Sequence, residues 1–196
     1  MLLTTGQAAE ELGCAITTVR RLIKAGLLPN LSHRGNRVMI PLDTVQTLRD
    51  REAAPLELLP AGEIAVLRAN VARPADDGYG WTGFAAHLHA DDLLMALRGW
   101  WRCDPASVAA GGVLPVTMSG YVVAVLTGIE SVDRSQGRYC FSGADLAGYV
   151  TDLALPVKRL TGRRPADRTA ADLLLGTRLP SHSGGAIAYV STRTAD

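Results

Sequence analysis

The stretch LTTGQAAEELGCAITTVRRLIKAGLLPNLSHRGNRVMIPLD, residues 3–43, decides the fold. Thr4 and Thr5 carry side-chain oxygens suited to capping a helix, and Ala8, Ala9 and Leu12 share one face of the helix that follows. Gly13 ends it, because glycine enters the left-handed conformation without strain. A second helix is predicted over Thr17–Ala25, stopped by Gly26. Its three- and four-residue spacing turns Ile16, Val19, Leu22 and Ile23 inward and leaves Thr17, Thr18, Arg20, Arg21 and Lys24 on or near the outer face. Leu28 to Ile40 reads as two short strands around Ser32-His33-Arg34-Gly35-Asn36, a hairpin turn in which Gly35 supplies the positive φ. Pro41-Leu42-Asp43 opens a third helix, Asp43–Arg51, whose Val45 and Leu48 close a small core.

From Cys14 to Leu42 there are five Lys/Arg and no Asp/Glu, although the whole chain carries a net charge of only +1. Residues 1–54 hold seven Lys/Arg against five Asp/Glu, and residues 55–196 thirteen against fourteen. A single-sign patch on an element of major-groove size is an electrostatic footprint for phosphate. Small polar residues near the start of the second helix, Thr17 and Thr18, allow close approach to a duplex. Arg20, Arg21 and Lys24 can reach guanine edges or phosphates, while His33, Arg34, Asn36 and Arg37 line the hairpin tip. A merely solvated helix face, held by ion pairs four residues apart, would mix signs, and this one does not.

The order of these residues resembles the winged helix-turn-helix of the MerR and excisionase-like families. The matching runs are Leu3-Thr4-Thr5-Gly6-Gln7-Ala8-Ala9, Leu12-Gly13, Thr17-Thr18-Val19-Arg20-Arg21, Lys24-Ala25-Gly26-Leu27-Leu28-Pro29 and Arg37-Val38-Met39-Ile40-Pro41. The resemblance implies that the second helix enters the major groove and that the hairpin, the wing, touches the flanking backbone. MerR-type regulators pair through a long C-terminal helix, for which this chain has no heptad run. Excisionase-like relatives bind tandem sites, so cooperative tandem binding or another homo-oligomer is expected.

Beyond residue 52 the sequence speaks of architecture more than of chemistry. With 47% hydrophobic and 20% charged residues, 196 residues suffice for one or two packed domains. Glu52–Gly62, with two prolines and a glycine, sets a linker at 53–62 between a helix-turn-helix at 1–52 and a second domain at 63–196. The fold class expected is α+β: the winged helix-turn-helix, then a small, mostly antiparallel β-sheet or barrel with one main helix. Strands are predicted at Glu63–Ala72, Val113–Thr127 (interrupted by Ser119-Gly120), Arg138–Ser142 and Ala186–Ser191, and the main helix at Ala90–Trp101. Cys14, Cys103 and Cys140 are scattered, which speaks against a disulfide framework or zinc site and for a reducing cytoplasm. No apolar run reaches the ~18 residues of a membrane span, and no membrane partner is expected.

The densest aromatic cluster is Arg98, Trp100, Trp101 and Arg102. The segment and the strands after it resemble PUA-like modules, which implies a surface able to stack a base; the alternative is that both tryptophans anchor the helix to the sheet. His87, His89, Asp91 and Asp92 are ligand types without a completing shell, and Asp91 and Asp92 already serve a helix start, so no metal is expected. Ser181-His182-Ser183-Gly184-Gly185 lacks the strand-turn-helix elbow of a serine nucleophile and reads as a contact loop. Lys158, Arg159, Arg163, Arg164 and Arg168 form a second basic cluster, read as a solvated loop, with an auxiliary DNA contact as the alternative. Together these imply a cofactor-free, non-enzymatic, sequence-specific binder of double-stranded DNA, a bacterial or phage transcriptional regulator. Its second domain would serve self-association or sensing of a small-molecule or protein effector. The alternatives are an excisionase-like recombination directionality factor, or a reader of modified bases or RNA through the second domain.

Overall fold

The computed structural model describes residues 1–76 and 80–193. The first unit runs β1 (Leu2–Thr4), α1 (Thr5–Glu11), α2 (Ile16–Lys24), β2 (Ser32–Arg34), β3 (Arg37–Pro41) and α3 (Leu42–Arg49). Thr4 and Gln7 cap α1 reciprocally: the Gln7 N–H donates to Thr4 Oγ1 at 3.3 Å and the Thr4 N–H to Gln7 Oε1 at 2.9 Å. β1 and β2 flank β3 in an antiparallel three-stranded sheet. β1 is absent from the sequence reading, since three residues are too few to show a period of two. The hairpin turn is tighter than expected. Arg34 pairs with Arg37, so Ser32, His33 and Arg34 lie in a strand, and only Gly35 and Asn36 turn, with φ +60° at Gly35.

The chain continues with β4 (Glu63–Arg68), β5 (Arg73–Pro74), β6 (Trp81–Thr82), α4 (Ala90–Leu97), α5 (Pro105–Ala110), β7 (Leu114–Met118) and β8 (Tyr121–Thr127). It ends with β9 (Asp133–Ser135), β10 (Arg138–Cys140), β11 (Asp145–Asp152), β12 (Val157–Leu160), α6 (Pro165–Leu174) and β13 (Ile187–Ser191). Six strands form the main sheet in the order β12-β11-β8-β7-β4-β13, antiparallel throughout except for β4 with β7. β7 and β8 are buried along their whole length, which their apolar, largely β-branched sequences LPVTM and YVVAVLT tolerate on both faces. The sheet ends at β12 and β13, so it is open and not a barrel.

Three expectations for this part need correction. The main helix stops at Leu97, short of Trp101, because tertiary backbone bonds capture the chain: the Phe141 N–H donates to the Arg98 carbonyl at 2.7 Å, and Trp101 and Tyr139 exchange N–H···O bonds of 2.8 Å each. Gly99 is required there, since a Cβ would lie 2.7 Å from Cys140 Cα. The basic stretch Lys158–Arg168 is not a loop. It holds β12 and the start of α6, where Pro165 supplies the fixed φ of a first helical turn. The strand expected over Glu63–Ala72 ends at Arg68. α5, β11 and α6 add elements that the sequence reading lacked, and α6, packed on β8 and β11, is longer than α4.

The helix-turn-helix and the sheet share one apolar core. Leu22, Ala25, Leu27, Leu28 and Leu48 pack in the same cluster as Ile64, Phe84, Val122 and Leu153. Backbone and side-chain bonds cross the same boundary. The Leu153 N–H donates to the Leu27 carbonyl at 2.9 Å, the Ala86 N–H to the Ala25 carbonyl at 2.8 Å, and the buried Tyr121 hydroxyl to the Leu48 carbonyl at 3.0 Å. Leu48 thus belongs to this shared core and not to the small one expected for it. The segment after α3 is pinned too: Ala54 N–H donates to the Arg178 carbonyl and Arg178 N–H to the Glu52 carbonyl, both at 2.8 Å. Truncating Leu27 to alanine is expected to cost about 2–5 kcal/mol. Calorimetry should then show one cooperative transition moved to lower temperature; two transitions, with only one moved, would mean that the segments fold independently.

Candidate nucleic-acid interface

α2 is buried on two sides. Val19 enters a small core with Leu3, Ala8, Ala9, Ile40 and Val45, while Leu22 enters the core shared with the sheet. What remains outside is a ridge of Thr17, Arg20, Arg21 and Lys24, all exposed. Thr18 is half-buried, and its carbonyl accepts from Ser119 Oγ at 3.3 Å. Ile16, expected inward, is 44% exposed because it stands in the first turn, beyond the reach of either core. Gly26 has φ +71° and lets the chain leave α2 against Ala86, whose Cβ would be 3.7 Å from a Cβ at this position.

The charges are segregated. Among the described residues, no ion pair involves Arg20, Arg21, Lys24, Arg34 or Arg37. Two acids of the same unit are engaged elsewhere: Glu11 pairs with Arg49, and Asp50 meets the same guanidinium at 2.8 Å, while Glu10 and Glu52 form no ion pair among the described residues. The Arg49 hydrogen bond holds the Asp50 carboxyl below its ordinary range. Asp43 stands in the first turn of α3 and accepts from the Thr44 N–H at 3.1 Å. Arg21 and Lys24 occupy the last turn of α2, where the helix dipole favours cations. Burial pushes the Cys14 thiol up, so it adds no negative charge to this face.

A groove of about 520 Å³ separates α2 from the wing and is lined by Arg20, Lys24, Asn36 and Arg37 together with Thr4 and Thr5. The structure thus brings four of the residues singled out in the sequence to one concave surface. His33 and Arg34 are exposed on β2, the outer strand of the wing. Arg21 faces the opposite flank, in a second groove it shares with Arg68 and His182. Arg68 carried no signal in the sequence, because only the sheet topology brings the end of β4 beside α2.

The aromatic cluster divides. Arg98, Trp100 and Trp101 line a cleft of about 770 Å³ with Trp81 and Arg138; Arg102 is exposed and takes no part in it. Trp101 is an anchor: its Nε1–H donates to the Leu97 carbonyl at 2.8 Å and its side chain packs against the core. Trp100 is 44% exposed. Asp92 and Asp133 also line the cleft, so its charge is mixed. The second basic cluster is largely occupied by the protein itself. Lys158 pairs with Asp172 at 2.9 Å, Arg164 with Asp167 at 2.9 Å and Arg163 with Asp145 at 3.5 Å, while Arg168 donates to the Gly162 carbonyl at 2.7 Å. No group of three or more His, Cys, Asp or Glu is arranged to hold a metal ion among the described residues.

Residues 2–52 match the family model of a helix-turn-helix domain. This first unit, about a quarter of the chain, is therefore a DNA-binding helix-turn-helix of the excisionase-like kind, continued by a β-rich body in an α+β whole. No curated protein and no solved structure matches the chain. No helix among the described residues is long and apolar enough to cross a membrane. Trp101→Ala is expected to destabilise the protein by about 3 kcal/mol, the low end for a packed aromatic because the ring is half-buried, and Trp100→Ala by less than about 1 kcal/mol. Urea titration of the two variants checks the contrast; equal losses would mean that Trp100 is also an anchor.

Proposed function

We propose that this chain is a sequence-specific double-stranded DNA-binding protein without catalytic activity, a bacterial or phage transcriptional regulator working in the cytoplasm. One observation carries the reading: a family-matched helix-turn-helix whose outer ridge and wing hold five cations with no carboxylate partner among the described residues. In this reading Thr17, Thr18, Arg20, Arg21 and Lys24 face the major groove, and His33, Arg34, Asn36 and Arg37 meet the flanking backbone. The groove between α2 and the wing then receives one strand. Copies bind cooperatively on tandem sites or as a homo-oligomer, and the β-rich body serves self-association or the sensing of an effector at the tryptophan cleft. The excisionase-like match supports a second reading, a recombination directionality factor. Mapping of occupied genomic sites separates the two: promoters mean a regulator, a single attachment site means recombination.

If the five cations neutralise five phosphates, log affinity should fall with log salt at a slope of about −4.5. A slope near zero would remove the reading. Arg20→Ala should cost about 1–3 kcal/mol on the preferred site, if Arg20 makes a bidentate guanine contact, and little on other sequences. Arg34→Ala should weaken all sequences alike and make the slope shallower by about 1. Fluorescence anisotropy with specific and scrambled duplexes distinguishes these outcomes; parental binding by both variants would mean that α2 is not in the groove.

A further inference from the structure

The flank of α2 opposite the wing is also built for an anion. A groove of about 530 Å³ runs from Arg21 on α2 to Arg68 at the end of β4 and to the loop Ser181–Gly185. Its walls carry Arg21, Arg68, His182, Asn70, Ser119 and Ser181, and no Asp or Glu. Arg68, Asn70 and Ala186 also line the neighbouring tryptophan cleft, but the acids of that cleft, Asp76, Asp92 and Asp133, are not among the walls of this groove. The groove is also held rigidly against α2. Ser119, in the turn between β7 and β8, donates to the Thr18 carbonyl, and Ser119 and Gly120 adopt φ +55° and +84° to make that turn.

The loop on the far wall is pinned by the same arginine. Arg68 Nη1 donates to the Ser183 carbonyl at 2.5 Å and to the Gly185 carbonyl at 3.3 Å, and the Gly185 N–H donates to Ser183 Oγ at 3.1 Å. Nε and Nη2 of Arg68 have no acceptor among the described residues, and the exposed His182 ring has no hydrogen-bond partner among them. The groove therefore presents a guanidinium edge, an imidazole and the Ser181 hydroxyl to whatever lies beside α2. An acid-free wall next to a DNA-reading helix fits one chemistry above others, the sugar–phosphate backbone of that same duplex.

We propose that the groove of Arg21, Arg68 and His182 is a second backbone-contact site. It grips the DNA strand on the side of α2 away from the wing, so that the β-rich body takes part in DNA binding directly. This rests on the reading of α2 as the groove-entering helix. Arg21 then bridges base and backbone contacts, while Arg68 and His182 act on phosphate alone and are indifferent to sequence.

Hydroxyl-radical footprints and salt titrations of the full-length protein on its preferred duplex test this, with Arg68→Gln and His182→Glu beside Arg20→Ala. Gln keeps an amide donor for the loop carbonyls, and His182 is exposed, so neither change should unfold the chain. Each should weaken binding to every sequence, Arg68→Gln by about tenfold at low salt and with a slope shallower by about 1. The protection on the side away from the wing should vanish while the central footprint stays. If both variants keep the parental footprint, affinity and slope while Arg20→Ala loses specific binding, the second site is refuted and the helix-turn-helix reading stands. If the parent protein itself leaves no footprint, that reading falls and this one with it. Inorganic phosphate that shifts the His182 ring signals in both the presence and absence of DNA, with unchanged footprints in the variants, would make the groove a free-anion site and overturn the proposal.

Discussion

The burial of α2 in two cores at once is the constraint on which the rest depends. Val19 and Leu22, three residues apart, point into different clusters, and both are almost fully excluded from solvent. A helix held on one side only can roll about its axis at little cost. One held on two sides cannot, since rolling would pull an apolar side chain from a close-packed site at about 25 cal/mol for each Å² exposed. The direction of Thr17, Arg20, Arg21 and Lys24 is therefore set by packing and not by the long, flexible cationic side chains. Preorganisation of this kind lowers the entropy lost when such side chains bind.

A chain with net charge +1 can present a cationic face only if its acids are kept elsewhere. The first unit does this in part with Arg49, which takes both Glu11 at the end of α1 and Asp50 just after α3. The β-rich body does the reverse with its own basic cluster, where Asp145, Asp167 and Asp172 each meet an Arg or Lys. Apart from Arg164–Asp167, whose carboxylate is buried, these pairs are largely exposed and add little stability. Their effect is on the field: the five cations of α2 and the wing, like Arg68, Arg98, Arg138 and Arg159 in the body, form no ion pair among the described residues, so the surface around α2 is cationic even though the whole molecule is nearly neutral.

The first fifty residues were largely legible because their signals are local. The caps, the glycine stops and the spacing of Ala8, Ala9, Val19 and Leu22 each act within a few residues, and so they appear in the sequence as they do in the fold. The body was legible only where strands were long and apolar, as in β7 and β8. The rest was set by distant partners. The helix expected through Trp101 ends early because Cys140 and Phe141 approach Arg98 and Gly99, a contact with no trace in local periodicity. Lys158–Arg168 read as a loop because its charges hid a proline-started helix; only Asp145 and Asp172, outside the run, explain why cations can cluster there. Arg68 was invisible as a site residue for the same reason, since β4 reaches α2 only through the sheet.

The shared core changes what the β-rich body means for DNA binding. Two units joined by a flexible linker search for their second contact at an effective concentration set by linker length. Here Leu27 and Leu28, just after α2, lie in the sheet's own cluster, and the Ala25 and Leu27 carbonyls are taken by Ala86 and Leu153. Any surface of the body near α2 is thus held in one fixed pose relative to α2, with no flexible linker between them to order. The same packing makes residues 1–52 alone a poor substitute for the whole chain, because removing the body would uncover Leu22, Leu27, Leu28 and Leu48 and return an exposed apolar patch to water. The direction of α2 is likewise tied to the sheet: a change at Leu22 or Gly26 alters the docking of the body and the aim of the arginines together.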